Sequence, residues 1–400
     1  MYSNFVFLYI IEYKGVVNMN QNNIGANLRR IREAKDLSQA QVADSAGISR
    51  VAYRNIENGN STPKVSTLQN IASGVGVKLQ DLFVPIRTLK KVRFRALKRM
   101  NSRDNILNEV ALWLDDFNYL ENLLNDSKEY LFKDLASKLS LMSERTDRSK
   151  YAAEQARALF GLKVKEYIRD IAGLLDSSGI KVYPLSLVSD GFFGLSVSEE
   201  DGGPAIIVNV WERISVERWI FSAAHELGHL LLHFDAYDVE VSTEDGDQEV
   251  EANVFASYFL MPEEAFESEW ADASGLPFIN RVLKVKRIFQ VSYKTVLYRL
   301  SESLGKSIWG QFKYSYKLKT GKTLSITDEP EALPPDKFQQ SPEVLRSQEP
   351  DSLSPSHFVE DRLSRLVRNA IEKDQITMGR GAEILRLDLE AMREIVSSWV

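Results

Sequence analysis

Between Trp219 and Phe234 the chain reads WIFSAAHELGHLLLHF, a proline-free apolar stretch carrying three of its four histidines at four-residue spacing. On a helix, His225 and His229 stand one turn apart on one face, so both imidazoles can reach a single ion. Glu226 lies beside that face, where a carboxylate can take a proton from water held by the ion. This is the HExxH pattern, and its mechanism is zinc hydrolysis. A metal-site helix has to be buried, and the apolar flanks meet that need. A buried helix that merely contained two histidines would have the same flanks, so the reading turns on a third ligand.

His233 is the nearest candidate. Eight residues at about 1.5 Å each separate it from His225 by about 12 Å along a straight helix, too far to share an ion. A three-histidine pattern of this length also needs a glycine turn before its last histidine, where this chain has Leu230-Leu231-Leu232. His233 is therefore expected to close the helix, facing a carbonyl or solvent. The third ligand should come from the next helix, Glu249–Met261 (EVEANVFASYFLM), which follows an acidic loop and stops at Pro262. Glu249 and Asn253 share a face of it. Glu249 is the preferred ligand, Asn253 is placed to steady a histidine, and Glu251, on another face, remains the alternative. The expected set is Zn2+ on His225, His229 and Glu249 with water in the fourth position, and Glu226 as general base. Tyr258, by location alone, is the candidate oxyanion donor.

A chain of 400 residues accommodates two or three domains. Absence of cysteine excludes disulfides and thiolate metal sites and suits a reducing compartment, here the cytoplasm. No apolar run approaches the roughly 18 residues of a membrane span. Phe5–Ile11 is apolar but short, with no basic region before it and no cleavage site after it, so it is not read as a signal peptide. Residues 1–21 read as an extension outside the native fold, with translation expected to start at Met19. The net charge of −6 averages two opposed parts. From Asn22 to Arg103 there are sixteen Lys and Arg against five Asp and Glu, which leaves the remainder at −17. That asymmetry points to a polyanion-binding N-terminal part on an acidic body.

Within the basic part, Ile24–Ala34 has helical periodicity, Ser38 caps Gln39–Ser45, and Ser49 caps Arg50–Glu57, with a tight turn at Gly47. Lys64–Ser73 and Leu79–Phe83 complete a bundle over residues 22–84. The run LSQAQVADSAGISRVAYRNIENG, continued by TPKVSTLQNIASGVGVKLQDLF, resembles the Cro/phage-repressor (XRE) type of helix-turn-helix. The resemblance implies a five-helix bundle that binds double-stranded operator DNA, its reading helix in the major groove. Arg50, Val51 and Asn55 would meet base edges, Arg50 at guanine and Asn55 at adenine, while Gln39 and Arg54 would meet phosphates. Tyr53 and Ile56 are expected in the core. A homodimer is expected; the alternative is a bundle that only dimerises.

Residues 85–145 read as a basic and helical connector, in which Leu89–Arg103 is either a DNA-following arm or a solvated helix face. Over 146–305 helices give way to three short β-branched runs, Ile180–Leu187, Phe192–Ser198 and Ala205–Val210, which predict a small, mainly antiparallel sheet before the HExxH helix. Within 306–326, Tyr316–Ile326 is expected to form a hairpin at Thr320-Gly321. Residues 327–356 are a proline-rich linker, and 357–400 return to helical patterning, as an interaction bundle or a second helix-turn-helix.

The segments AAHELGHLLLH and EVEANVFASYFLMP, with AAEQAR and IIVN before them, resemble the ImmA/IrrE family of zinc metallopeptidases across Tyr151–Leu300. The wider glutamate-zinc peptidases carry Glu-x-x-x-Asp where this chain has Asn253, so a neutral amide replaces an acid. The departure bears on the rate of hydrolysis, not on metal binding. The whole is then a multidomain, mainly α protein with an α+β zincin-like domain and a C-terminal helical segment. Its implied function is a DNA-binding regulator whose zinc metallopeptidase domain cleaves a partner repressor, or itself, on a signal. The alternative is a transcription factor in which that domain is a non-catalytic sensor of a metal, ligand or partner.

Overall fold

Serine caps open the second and third helices as their sequence demands. In the computed structural model, which describes residues 21–35, 37–83, 88–96, 103–142, 145–189, 191–238, 245–325, 328–334 and 362–399, α1 runs Gln21–Ala34, α2 Gln39–Ser45, α3 Arg50–Glu57 and α4 Val65–Gly74. Ser38 Oγ accepts from Gln41 N while Gln41 reaches back to Ser38 N, a complete capping box, and Ser49 Oγ caps α3 through Ala52 N. Gly47 takes the left-handed φ of +66° that the turn between α2 and α3 requires. Tyr53 and Ile56 are buried in the small core with Leu28, Val42, Leu68 and Ile71, as expected. A 3-10 turn at Leu79–Phe83 closes the bundle against α1. The extension and its Met19 start, the acidic loop over 239–244 and most of the proline-rich linker lie outside the described residues.

The chain divides into two units, one holding the described residues up to Thr88 with Asp104–Trp113 and those from Lys373, the other Leu89–Arg103 and Leu114–Glu372. The second unit has one four-stranded sheet. Its strands are β1 (Val92–Ala96), β2 (Lys181–Leu185), β3 (Phe192–Val197) and β4 (Ala205–Asn209), in the order β1-β3-β4-β2. β1 and β4 flank β3 antiparallel, and β2 runs parallel to β4. β1 corrects one expectation: within the basic run Leu89–Arg103, Val92–Ala96 is neither an arm nor a helix face but a strand that pairs along β3 at the sheet edge, while residues 97–102 lie outside the described residues. Val92 alternates inward and is fully buried, which anchors the strand.

Around the sheet lie α5 (Arg103–Leu124, which runs through both units), α6 (Lys133–Leu139), α7 (Arg145–Leu159), α8 (Ile171–Ser177), α9 (Val216–Leu232), α10 (Gly246–Leu260), α11 (Glu263–Asp272), α12 (Phe278–Phe289), α13 (Tyr293–Leu304), α14 (Ile308–Thr320) and α15 (Arg362–Glu372). Where a hairpin was expected, α14 continues to Thr320 and Gly321, at φ +71°, ends it as a left-handed cap. α9 is buried along almost its whole length, between β3 and β4 on one side and α10 on the other. At that crossing Gly228 has no room for a side chain; a Cβ would lie 2.9 Å from Phe255 Cδ1 and 3.3 Å from Ala252 Cα. α15 docks by burying Arg362, which pairs with Glu121 and donates to Asp126 O at 3.0 Å. In the first unit α16 (Met378–Leu385) and α17 (Leu389–Ser397) complete the C-terminal helical segment, capped by Thr377 and Asp388. Among the described residues no helix is long and apolar enough to cross a membrane.

Candidate metal centre

The close α9–α10 crossing puts the two histidines of one helix opposite the first turn of the other. His225 Nε2 and His229 Nε2 are 2.9 Å apart. Glu249 closes the triangle, with Oε2 3.3 Å from His225 Nε2 and Oε1 3.2 Å from His229 Nε2. Bonds of about 2.0–2.1 Å at tetrahedral angles place ligand atoms about 3.3 Å apart, so the three donors fit a zinc ion once the two imidazoles part by a few tenths of an ångström. Among the described residues this trio is the group of His and acidic side chains arranged to hold a metal.

Burial and charge favour the forms a metal needs. Desolvation, then the neighbouring His225, holds His229 well below the usual imidazole range, so it stays neutral. Burial alone would raise Glu249, but its contacts with the His225 and His229 rings prevail and keep it well below the usual carboxylate range, and therefore ionised. A neutral N,N and anionic O set is the preferred environment of zinc.

Each ligand is held from behind. Asn253, one turn beyond Glu249 on α10, brings Oδ1 to 3.0 Å from His225 Nδ1, the place read for it in the sequence. His229 Nδ1 faces His233 Nδ1 at 2.9 Å. His233 therefore faces neither a carbonyl nor solvent. It is buried, and its Nε2 lies 2.7 Å from Glu251 Oε2. Burial pushes its pKa down to about 4, against the opposing pull of Glu251. Glu251, the alternative ligand, is thus occupied by His233 and by Arg148, whose Nη2 donates to it at 2.6 Å. Tyr258 is excluded as an oxyanion donor: nine residues along α10 carry it about 13 Å from Glu249, and its hydroxyl donates to Glu302 Oε2 at 3.2 Å.

Glu226 is 1% exposed and turned toward the sheet, where Ser196 Oγ on β3 donates to its Oε2 at 2.7 Å. Tyr237 OH, just after α9, donates in turn to Ser196 Oγ at 2.8 Å. Gly194, two residues before Ser196 on the same face of β3, makes the space: a Cβ there would lie 3.4 Å from Glu226 Oε1 and 2.9 Å from Ile207 O. Arg93 on β1, paired with Ser196, reaches Gln248 Oε1 at 2.5 Å and Glu249 Oε1 at 3.4 Å. Sequence reading missed Arg93, Ser196, Tyr237 and the inward role of His233. Only the alternation Gly194-x-Ser196 on a strand before HExxH carried any signal.

On α3 of the first unit, Arg50, Val51 and Arg54 are exposed and Asn55 is half-buried; Val51, at 59%, is an apolar side chain in water. Gln39 differs from expectation. Its Nε2 donates to Glu57 Oε1 at 3.1 Å, inside a clamp in which Arg32 holds both oxygens of that carboxylate at 2.8 and 3.0 Å. Its side chain is thereby spent on the bundle.

Comparison with known proteins separates the same two regions. Residues 28–82 match the helix-turn-helix family, and residues 175–301 match the peptidase family described as the IrrE N-terminal-like domain. The control protein C.MunI of a Mycoplasma species is 36% identical over 63 residues, 16% of this chain and 85% of that one. The uncharacterized HTH-type transcriptional regulator YqaE of Bacillus subtilis is 35% identical over 81 residues, 20% of this chain and 70% of its own. An uncharacterized HTH-type regulator of Mycobacterium bovis is 34% identical over 59 residues, 15% of this chain, and the match spans only 23% of that regulator.

Proposed function

Since the chain belongs to the XRE-type helix-turn-helix transcriptional regulators and carries an IrrE/ImmA-like domain in the same polypeptide, we propose that it binds operator DNA and hydrolyses a peptide bond. The substrate bond lies in a partner repressor or in the chain itself, and the setting is the cytoplasm. The observation that carries this reading is the convergence of His225 Nε2 and His229 Nε2, 2.9 Å apart, on the Glu249 carboxylate, whose Oε2 lies 3.3 Å from the first and whose Oε1 lies 3.2 Å from the second, with Glu226 alongside. When bound, zinc supplies Lewis acidity, acidifying water and polarising a peptide carbonyl.

The chain's own residues do the rest. Ser196 donates to Glu226 Oε2 and so holds the carboxylate in one orientation. Glu226 takes a proton from the attacking water and returns it to the leaving amine nitrogen, so that water is consumed and two chain ends form. A purely structural metal site has no use for that carboxylate, and a buried acid without a task costs stability. On the other unit, Arg50, Val51 and Asn55 would meet base edges, and Arg54 a phosphate. Two copies would read two half-sites of the operator.

The test pairs two variants. Purified protein is expected to hold about one zinc per chain, lost in His229→Ala. Glu226→Gln should keep the zinc while cleavage of the repressor encoded beside it, or of the chain itself, falls by about 10²–10⁴-fold. Zinc-loaded wild type that cuts neither protein would leave the domain a sensor.

A further inference from the structure

The proton position on His229 is determined by groups outside the ligand set. Arg148 Nη2 donates to Glu251 Oε2 at 2.6 Å, and the same oxygen meets His233 Nε2 at 2.7 Å. A carboxylate paired with a guanidinium is ionised and only accepts. The single proton of a neutral His233 therefore sits on Nε2. Its Nδ1 is then a lone pair, facing His229 Nδ1 at 2.9 Å. That contact needs a hydrogen on His229 Nδ1, which leaves the Nε2 lone pair of His229 aimed at the space shared with His225 and Glu249. His225 reaches the same state in one step, because Asn253 Oδ1 accepts from its Nδ1 at 3.0 Å.

We propose that Arg148, Glu251 and His233 form a positioning relay that fixes the tautomer of His229 and aims its Nε2 at a divalent cation before the cation arrives. The proposal rests on the metal-site reading above and extends it by three residues. Arg148 on α7, Glu251 on α10 and His233 at the end of α9 tie the ligand's orientation to three packed elements. None of them contacts the ligand space; each acts through His229. The relay also makes the two ligands unequal. Behind His229 stand His233 and the Glu251–Arg148 pair, whereas a neutral amide alone stands behind His225.

The test uses full-length protein with nitrogen-15 histidine and long-range proton–nitrogen correlation spectra, zinc-free and zinc-loaded. His225 and His229 are expected to carry hydrogen on Nδ1 and His233 on Nε2 in both states; hydrogen on His229 Nε2 in the zinc-free protein overturns the relay. In zinc titrations against a chelator, His233→Phe should weaken binding about 10–100-fold. Glu251→Gln, which keeps an acceptor but loses the charge, should weaken it less and leave His229 in mixed tautomers. A merely structural role would lower thermal stability in both variants while His229 kept one tautomer, and that result rejects the proposal. Unchanged zinc affinity in both variants sinks the relay alone, whereas wild type that binds no zinc removes the metal-site reading with it.

Discussion

Single side chains decide more here than their number suggests, and Glu57 shows how. Its buried carboxylate accepts from Arg32 and Gln39, joining α1, α2 and α3 at one point. Burial would raise its pKa, but those hydrogen bonds and the charge of Arg32 prevail and hold it below the ordinary value. A depressed folded-state pKa contributes stability above the unfolded value of about 4.3 and loses it as pH falls through the folded one. Acid should therefore loosen this bundle, and Glu57→Gln should flatten that dependence while lowering stability at neutral pH by about 1–3 kcal/mol. Hydrogen exchange of α1–α3 amides, followed from neutral pH down through the acid limb, reads both effects. A variant with the wild-type acid limb would remove Glu57 as its cause. At this level the sequence was informative where chemistry is local. His225, Glu226 and His229 announce themselves by spacing, and Glu249 and Asn253 by sharing a helix face. His233 did not, because its distance from His225 hid its contact one turn back, with His229.

Helices and strands carry the site through their crossings. α9 carries two of the side chains that could hold a metal and α10 the third, and Gly228 sets how closely the two helices approach. Gly228→Ala would press a methyl group onto Phe255 and Ala252, with a cost of about 1–3 kcal/mol. It should also weaken zinc binding, since separating the helices pulls Glu249 from the histidines. Thermal unfolding with and without zinc checks this, and a variant that melts early yet binds zinc normally would uncouple crossing from site. The elements themselves were readable in proportion to their local signals. Capping serines and the left-handed glycine placed α2 and α3, and Pro262 marked the end of α10. β1 was not readable: three apolar residues alternating with two arginines look like a solvated charge run until a partner strand is known. Thr320-Gly321 suits a hairpin turn and a helix cap equally, and only the packing of Ile308 and Phe312 selects the helix.

Over the molecule as a whole, charge is segregated where composition alone shows near balance. With sixteen basic residues against five acidic ones between Asn22 and Arg103, operator binding should weaken steeply with salt. Each phosphate contact contributes about −0.9 to the slope of log affinity against log salt. Arg54→Ala should reduce that slope by about one on all sequences, while Arg50→Ala should cost about 1–3 kcal/mol on the operator and little elsewhere. Fluorescence anisotropy at several salt concentrations separates them, and equal losses on operator and random DNA would remove Arg50 as a base reader.

That segregation stops short of a clean seam, and β1 is the reason. Anyone wishing to produce the peptidase-like body alone would cut where the basic stretch ends, near Arg103. Such a cut discards the strand that borders β3 and the guanidinium beside Glu249. The workable cut falls earlier, between Phe83 and Leu89, and a fragment begun later would start with an open sheet edge, prone to pair with its neighbours.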